Sequence, residues 1–224
     1  MDYSKLWCCL MSFVDKSILN KKLVHSLSWQ SQIDSNTEQW SRMCQSSSGA
    51  MFCEHLKPGC LKNHPDRMGN EQLDDFYLRI LNKKFGDTTD PQAHTKMHHY
   101  LGVNSRFRVN GTRETLEWFL SRGFIIMVGQ LHHGYFTTPD PNRSHWNCLV
   151  GWTPEDDSFV FHDPNGKMDP KNGGYLDNNG KYVKYPWAFW KRRWMVDERG
   201  NYSPGNGWCH VPVTDKATGK YIPL

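Results

Sequence analysis

Three side chains that together could hydrolyse an amide bond lie far apart in the sequence, in the order Cys, His, Asp. Cys44 stands where a helix is predicted to begin, His145 opens a predicted strand, and Asp163 ends the next strand. A thiol reacts as its thiolate, which the N-terminus of a helix stabilises. A histidine can take the thiol proton, and an acidic side chain can orient that histidine. The sequence therefore predicts a nucleophile, a base and an orienting acid.

Two of these residues lie in a predicted β-hairpin. Residues 145–152 and 158–163 alternate between polar and apolar side chains, and a turn at 153–157 joins them. We expect the two strands to pair antiparallel, with Trp152 opposite Ser158 at the turn.

This pairing would bring the candidate base close to the candidate acid. In that register Asn147 faces Asp163, and side chains two residues apart on a strand share a face. His145 and Asp163 would then be diagonal neighbours within about 5–8 Å. Asn165, opposite His145, is a second candidate for the orienting group. A shift of one residue would separate the base from the acid.

The order of elements along the chain predicts an α+β fold. Helical spacing of apolar residues, with capping and stop signals, predicts four helices, at 44 to about 56, 70–84, 90–100 and 112–122. Further on, apolar runs and alternating patterns predict strands at 124–131, 145–152, 158–163, 182–196 and 208–213, with a loop at 165–181. We therefore expect an N-terminal helical part packed on a C-terminal antiparallel sheet.

Length and composition restrict the protein class. The chain has 224 residues, a formal net charge of +4 and 13% aromatic residues, which excludes a disordered chain. No apolar stretch reaches the roughly 18 residues that a membrane-spanning helix needs. The basic cluster at 191–193 is too short for a nucleic-acid tail. The seven cysteines include no CxxC pair, which argues against a zinc ribbon.

We expect two parts, an N-terminal appendage at residues 1–28 and one domain at 29–224. In the appendage an apolar stretch precedes the lysines, the reverse of the order in a secretory signal. We predict a short packing helix or strand there.

Other groups of residues are weaker candidates for chemistry. His132, His133 and His162 could bind a metal, but the sequence has no His-Glu-x-x-His motif. The segment 177–180 resembles part of a calcium loop but lacks the downstream glutamate. Rings at 187–194 could line a groove, although such rings more often form a core. We predict neither a metal nor a cofactor.

Several short motifs extend this interpretation: Cys44–Met51, Lys57–Gly59, Phe85–Asp90, His145–Trp146, Leu149–Gly151, His162–Gly166, Asn172–Tyr175, Arg193–Asp197 and Gly205–Trp208. As a set they resemble the papain-like cysteine peptidases of the bacteriocin-processing type, and most closely a phage-encoded branch. The resemblance spans residues 29 to 208 and implies a papain-like fold.

The resemblance also implies roles for individual residues. Cys44 would be the nucleophile, His145 the base and Asp163 the orienting acid. Family members usually carry a glutamine shortly before the nucleophile, where it stabilises the oxyanion. Here Gln32 lies twelve residues before Cys44, and a longer loop could return it to the site.

Four other residues complete the candidate site. Gln30 and Gln39 are alternatives to the chosen glutamine. Trp146 and Asn165 are expected to contact substrate.

By analogy with the phage branch, the substrate would be the peptide stems of bacterial peptidoglycan. A phage lysin with this substrate would be made in the host cytoplasm or carried in the virion, and would act at the cell wall or in the periplasm. We expect a monomer that binds no nucleic acid. The alternatives are a processing peptidase for phage or host proteins and a non-catalytic module that binds the cell wall.

Overall fold

The computed structural model describes residues 21–214. Five α-helices occur in this range: α1 Cys44–Leu56, α2 Leu73–Lys84, α3 Pro91–Tyr100, α4 Arg113–Ser121 and α5 Trp187–Trp194. Short 3₁₀ turns occupy Trp40–Arg42 and Pro154–Asp156. Helices precede most of the strands, which confirms the predicted α+β class.

The main sheet of the described residues has eight strands, and all its pairings are antiparallel. Its strands are β1 Leu23–Val24, β2 Ser105–Gly111, β3 Ile126–Leu131, β6 Ser144–Thr153, β7 Ser158–His162, β10 Val183–Pro186, β11 Met195–Val196 and β12 Tyr202–Pro212. The order is β10-β7-β6-β3-β12-β11, with β1 beside β6 and β2 beside β12. Two small ribbons lie outside it, formed by β4 Gly134–Tyr135 with β5 Thr138–Pro139 and by β8 Lys167–Met168 with β9 Tyr175–Asp177.

Helices cover both faces of this sheet. One apolar cluster joins α1, α2 and α3 to side chains such as Met127, Cys148 and Val160. A second cluster joins α4 and α5 to the alternate side chains of the same strands, such as Val128 and Phe161. The central strands β3 and β7 are therefore buried along their whole length.

Local signals fix the helix ends. Asp90 caps α3 by accepting a hydrogen bond from the backbone N–H of Gln92, and Pro91 occupies the first helical position. Thr112 begins α4 with a reciprocal capping box. After α4, Gly123 has a φ of 83°, a conformation that favours glycine. The predicted helices therefore agree with the structure to within a few residues.

The prediction of one strand over 182–196 is wrong in its middle. Only the two ends of that segment are strands, and α5 lies between them. Pro186 precedes the helix, and the rings at 187, 190 and 194 follow the three-to-four-residue spacing of one helix face. Trp190 and Trp194 are buried, so these rings form core. The sequence analysis also missed β2, and the predicted loop at 165–181 contains the short strands β8 and β9.

Part of the predicted appendage joins the sheet. Leu23 and Val24 pair with Trp152 and Gly151, and the backbone N–H of His25 donates to Val150. Residues 1–20 of the predicted appendage lie outside the described range. Within the described range, no helix is long and apolar enough to cross a membrane.

Candidate active site

Cys44 is the first residue of α1, and its free thiol is partly exposed. The helix then runs into the core, because the nine residues from Gln45 to Cys53 are buried. The thiol of Cys148 on β6 donates to the backbone carbonyl of Ser48 at 3.1 Å, which holds α1 against the sheet. The positive end of the helix dipole therefore lies at the sulfur of Cys44.

The hairpin of β6 and β7 has the predicted pairing near the site but not at the turn. Cys148 pairs with His162, as the predicted register requires. At the turn, Trp152 pairs with Phe159 and not with Ser158, so that part of the prediction is wrong. A β-bulge between these two pairs absorbs the difference of one residue. The bulge thus restores the register that the site needs.

The hairpin brings His145 and Asp163 into direct contact. Nε2 of His145 lies 2.7 Å from Oδ1 of Asp163, and both side chains are almost fully buried. A carboxylate only accepts hydrogen bonds, so Nε2 carries the hydrogen and donates it. The other ring nitrogen, Nδ1, is left for a different partner.

Cys44 is close enough to His145 to alter its charge. Burial alone would lower the pKa of His145, but the Asp163 carboxylate and the Cys44 sulfur outweigh burial and raise it to about 10. A hydrogen bond between the side chains of Cys44 and His145 contributes to this increase. The imidazole can therefore hold a proton taken from the thiol.

Hydrogen bonds from several segments fix Asp163. The hydroxyl of Tyr185 donates to Oδ2 at 2.9 Å, and the backbone N–H of Asn165 donates to Oδ1 at 3.0 Å. The indole N–H of Trp29 donates to the Asp163 carbonyl at 2.9 Å. Both carboxylate oxygens are occupied, which holds the carboxylate in one orientation toward His145.

Gln32 returns to the site from twelve residues ahead of the nucleophile. Its backbone N–H donates to the carbonyl of Pro164 at 3.0 Å, directly after the acid. Its side-chain Nε2 donates to the carbonyl of Trp40 at 3.1 Å, in the turn that leads into α1. The side chain is buried between these segments. An amide carries two N–H groups, and this bond uses one of them.

The two alternative glutamines, Gln30 and Gln39, have different contacts from those of Gln32. The side chain of Gln39 is exposed and accepts a hydrogen bond from Asn82 at 3.3 Å. The backbone N–H of Gln30 contacts the sulfur of Met51 at 3.4 Å. Of the three, Gln32 is the one tied to both sides of the site.

The two predicted substrate contacts differ in position. Trp146 is only 5% exposed and packs edge-on against Trp208 in the core, which favours a packing role. Asn165 is half-buried beside Asp163, and its side chain hydrogen-bonds Tyr175. Asn165 therefore belongs to the surroundings of the acid, whereas Trp146 offers a substrate little surface.

Sequence analysis missed the rings that enclose His145. His132 stacks on it with ring centroids 5.2 Å apart and planes 19° apart, and Tyr175 packs edge-on at 5.8 Å. His132 directly follows β3, whose partner is the strand of His145. Strand adjacency alone could have indicated this contact.

The structure separates the three candidate metal ligands. His132 and His133 are in contact, but His162 packs against the ring of Tyr182. Within residues 21–214, no group of three or more His, Cys, Asp or Glu side chains has an arrangement that could hold a metal ion.

An α+β fold that joins a thiol at a helix N-terminus to a hairpin-borne histidine and acid defines a papain-like cysteine peptidase. The sequence profile of the Peptidase_C39 like family matches residues 24–195, and the chain belongs to that family.

Two further comparisons give no additional evidence for the family. A crystal structure from Bacillus anthracis, described as a C39-like peptidase, is 14% identical and gives a TM-score of 0.49 over 91% of this chain and 98% of that chain. No curated protein is detectably similar in sequence. Family membership therefore rests on the match over residues 24–195.

Proposed function

We propose that the protein is a cysteine endopeptidase that uses Cys44, His145 and Asp163. The observation that carries the proposal is the 2.7 Å hydrogen bond between His145 and Asp163, formed beside a thiol at the start of a helix. A neutral thiol is a poor nucleophile, and a neighbouring base with its own orienting partner is the usual means of activating it.

The chemistry proceeds in two stages. Nδ1 of His145 takes the thiol proton, and the Cys44 sulfur attacks the carbonyl carbon. The backbone N–H of Cys44 and the amide of Gln32 stabilise the negative oxygen that forms. The intermediate then collapses, the C–N bond breaks, and His145 gives its proton to the leaving amine. Water, activated by the same imidazole, hydrolyses the thioester and regenerates the thiol.

The proposed substrate is the peptide stem of bacterial peptidoglycan, and the proposed role is that of a phage lysin. Its support is the set of motifs that resembles the phage-encoded branch, which includes 172–175, 193–197 and 205–208. The enzyme would be made in the host cytoplasm or carried in the virion, and would act as a monomer at the cell wall.

Replacing the nucleophile tests this proposal. Cys44→Ala should abolish the loss of turbidity of permeabilised bacteria, because no other group supplies the attacking sulfur. Cys60→Ala is the matched control, since Cys60 is another partly exposed thiol and plays no part in the mechanism. Lysis that persists in Cys44→Ala would contradict the thiol mechanism.

Mass spectrometry of digested peptidoglycan separates the alternatives. New amino groups within the peptide stems support a lysin. Intact peptidoglycan, combined with cleavage of a phage or host protein, would favour a processing peptidase. Cell-wall binding that is equal in wild type and Cys44→Ala, with no amino groups released by either, would favour a binding module.

A further inference from the structure

We propose that His132 is a positioning residue, whose neutral ring holds the imidazole of His145 between Cys44 and Asp163 and stabilises its protonated form. This inference rests on the proposed function, because it concerns the base of the same reaction.

The rings around His145 form a connected group. His132 stacks on His145, and Nδ1 of His132 lies 3.2 Å from the hydroxyl of Tyr175. Tyr175 in turn packs edge-on against His145 and hydrogen-bonds the side chain of Asn165. The backbone of Asn165 donates to Asp163, the partner of His145. His132 therefore contacts the face of the His145 ring, Tyr175 contacts its edge, and Asp163 binds its Nε2.

One buried guanidinium fixes the backbone on both sides of His132. Arg193 is fully buried and donates to the carbonyls of Leu131 at 2.9 Å and Gly134 at 2.6 Å. It also donates to the carbonyl of Pro170 at 2.7 Å, in the loop that leads to Tyr175. The segments that carry the stacked ring and its hydrogen-bond partner are thus tied to the same cation.

His132 itself is held by main-chain hydrogen bonds. Its N–H donates to Arg143 at 3.0 Å, and its carbonyl accepts from Gly174 at 2.7 Å. These bonds fix the backbone that carries the ring, and the contact of Nδ1 with the Tyr175 hydroxyl orients the ring itself.

The surroundings of His132 keep its ring neutral. The titratable and charged groups that face it are His145, His133, Arg143, Arg193 and Tyr175. Burial and the positive groups among them lower the pKa of His132 to about 2. Two protonated rings at this separation would repel, whereas a neutral aromatic face stabilises an adjacent cation. A neutral His132 therefore favours the protonated state of His145 that follows proton transfer.

The test measures how fast iodoacetamide alkylates Cys44 as a function of pH, with Cys60 as internal reference. His132→Leu keeps a similar volume but removes the aromatic face. We expect the alkaline edge of the profile to move down by roughly half a pH unit, because His145 loses its proton more easily. His132→Phe should shift the edge by much less than His132→Leu, since it restores the aromatic face and loses only the hydrogen bond to Tyr175.

Two further variants separate this effect from a loss of structure. Thr137→Val is the control, since Thr137 is exposed and lies five residues further along the same segment. It should leave the profile unchanged. Tyr175→Phe removes only the hydroxyl that contacts His132, and should give a smaller shift in the same direction. This variant decides the matter if His132→Leu does not fold.

The outcomes separate the two proposals. A wild-type Cys44 no more reactive than Cys60 would contradict both the proposed function and this inference. A reactive Cys44 whose profile is unchanged in His132→Leu, or shifted equally in His132→Phe, would overturn only the role of His132. With an unfolded His132→Leu, an unchanged profile in Tyr175→Phe would overturn it as well.

Discussion

The carboxylate of Asp163 combines two effects that substitutions can separate: orientation and charge. It accepts hydrogen bonds from His145, Asn165 and Tyr185, and its charge raises the pKa of His145. Asp163→Asn keeps an oxygen for the imidazole but loses the charge. Asp163→Ala loses both and leaves buried donors without an acceptor.

We expect Asp163→Ala to lower kcat/KM by about 100-fold or more, and Asp163→Asn by about 10-fold. In both variants the alkaline limb of the pH profile should move to lower pH, because the charge that favours protonated His145 is gone. The measurement is kcat/KM against pH on a peptide substrate. An Asp163→Ala enzyme within about twofold of wild type at all pH values would show that the acid does not orient the base.

At the scale of elements, the loop after β9 fixes the position of the acid. Gly180 is buried, and its carbonyl accepts a hydrogen bond from the backbone N–H of Asp163 at 2.9 Å. A Cβ on Gly180 would collide with the carbonyl oxygen of Asp163. The absence of a side chain at 180 therefore allows the loop to lie against the end of β7.

Gly180→Ala should displace Asp163 and lower both activity and stability. We expect a loss of about 1–3 kcal/mol in the free energy of unfolding, the usual cost of overpacking, and a fall in kcat of about 10-fold or more. Urea unfolding and initial rates measure the two effects. Asn178→Ala, an exposed change in the same loop, is the control. Equal rates for Gly180→Ala and wild type would show that this contact does not position the acid.

Local signals explain which elements the sequence analysis predicted. The Pro-Gly pair at 58–59 after α1, the cap at Asp90 and the glycine at 123 act within a few residues, so each can be recognised from sequence. The bulge in β6 could not be recognised, because it is set by how β6 meets β7. The helix α5 was missed because a run of aromatic residues also suits a strand, and only burial on one face distinguishes the two.

The candidate site likewise contains some contacts that can be predicted from sequence and others that cannot. The contact between His145 and Asp163 depends on one hairpin, and the pairing of adjacent strands can be derived from their sequence pattern. The positions of Tyr175 and Gln32 depend on loops that bring them to the hairpin from other parts of the chain, and that of Tyr185 depends on the pairing of β10 with β7. No local pattern fixes the path of such loops, so these contacts required the structure.

At the scale of the whole molecule, the core between α1, α3 and the sheet contains buried histidines. His94, His98 and His210 are each 0% exposed, and their rings lie 5.1 to 6.4 Å apart. Nδ1 of His94 lies 3.0 Å from the hydroxyl of Tyr77, and its Nε2 lies 2.9 Å from the carbonyl of Thr88. Burial lowers the pKa of all three, for His94 to about 4.

These histidines should make the folded protein sensitive to acid. A group whose pKa falls on folding binds fewer protons when folded, so its stabilising effect is complete above its ordinary value of 6.5 and declines as pH falls toward 4. His145 has the opposite shift, so its contribution is complete below its ordinary value of 6.5 and declines as pH rises toward about 10. Maximum stability is therefore expected between these limits.

Replacing one of the buried histidines tests this origin of acid sensitivity. His94→Gln keeps groups that can hydrogen-bond Tyr77 and Thr88 but does not titrate. Between pH 7.5 and pH 5, the wild type should lose about 2 kcal/mol more of its free energy of unfolding than this variant does. Urea unfolding at the two pH values gives the difference, with His133→Gln, an exposed histidine, as control. If His94→Gln and wild type lose the same free energy, other groups cause the acid sensitivity of this fold.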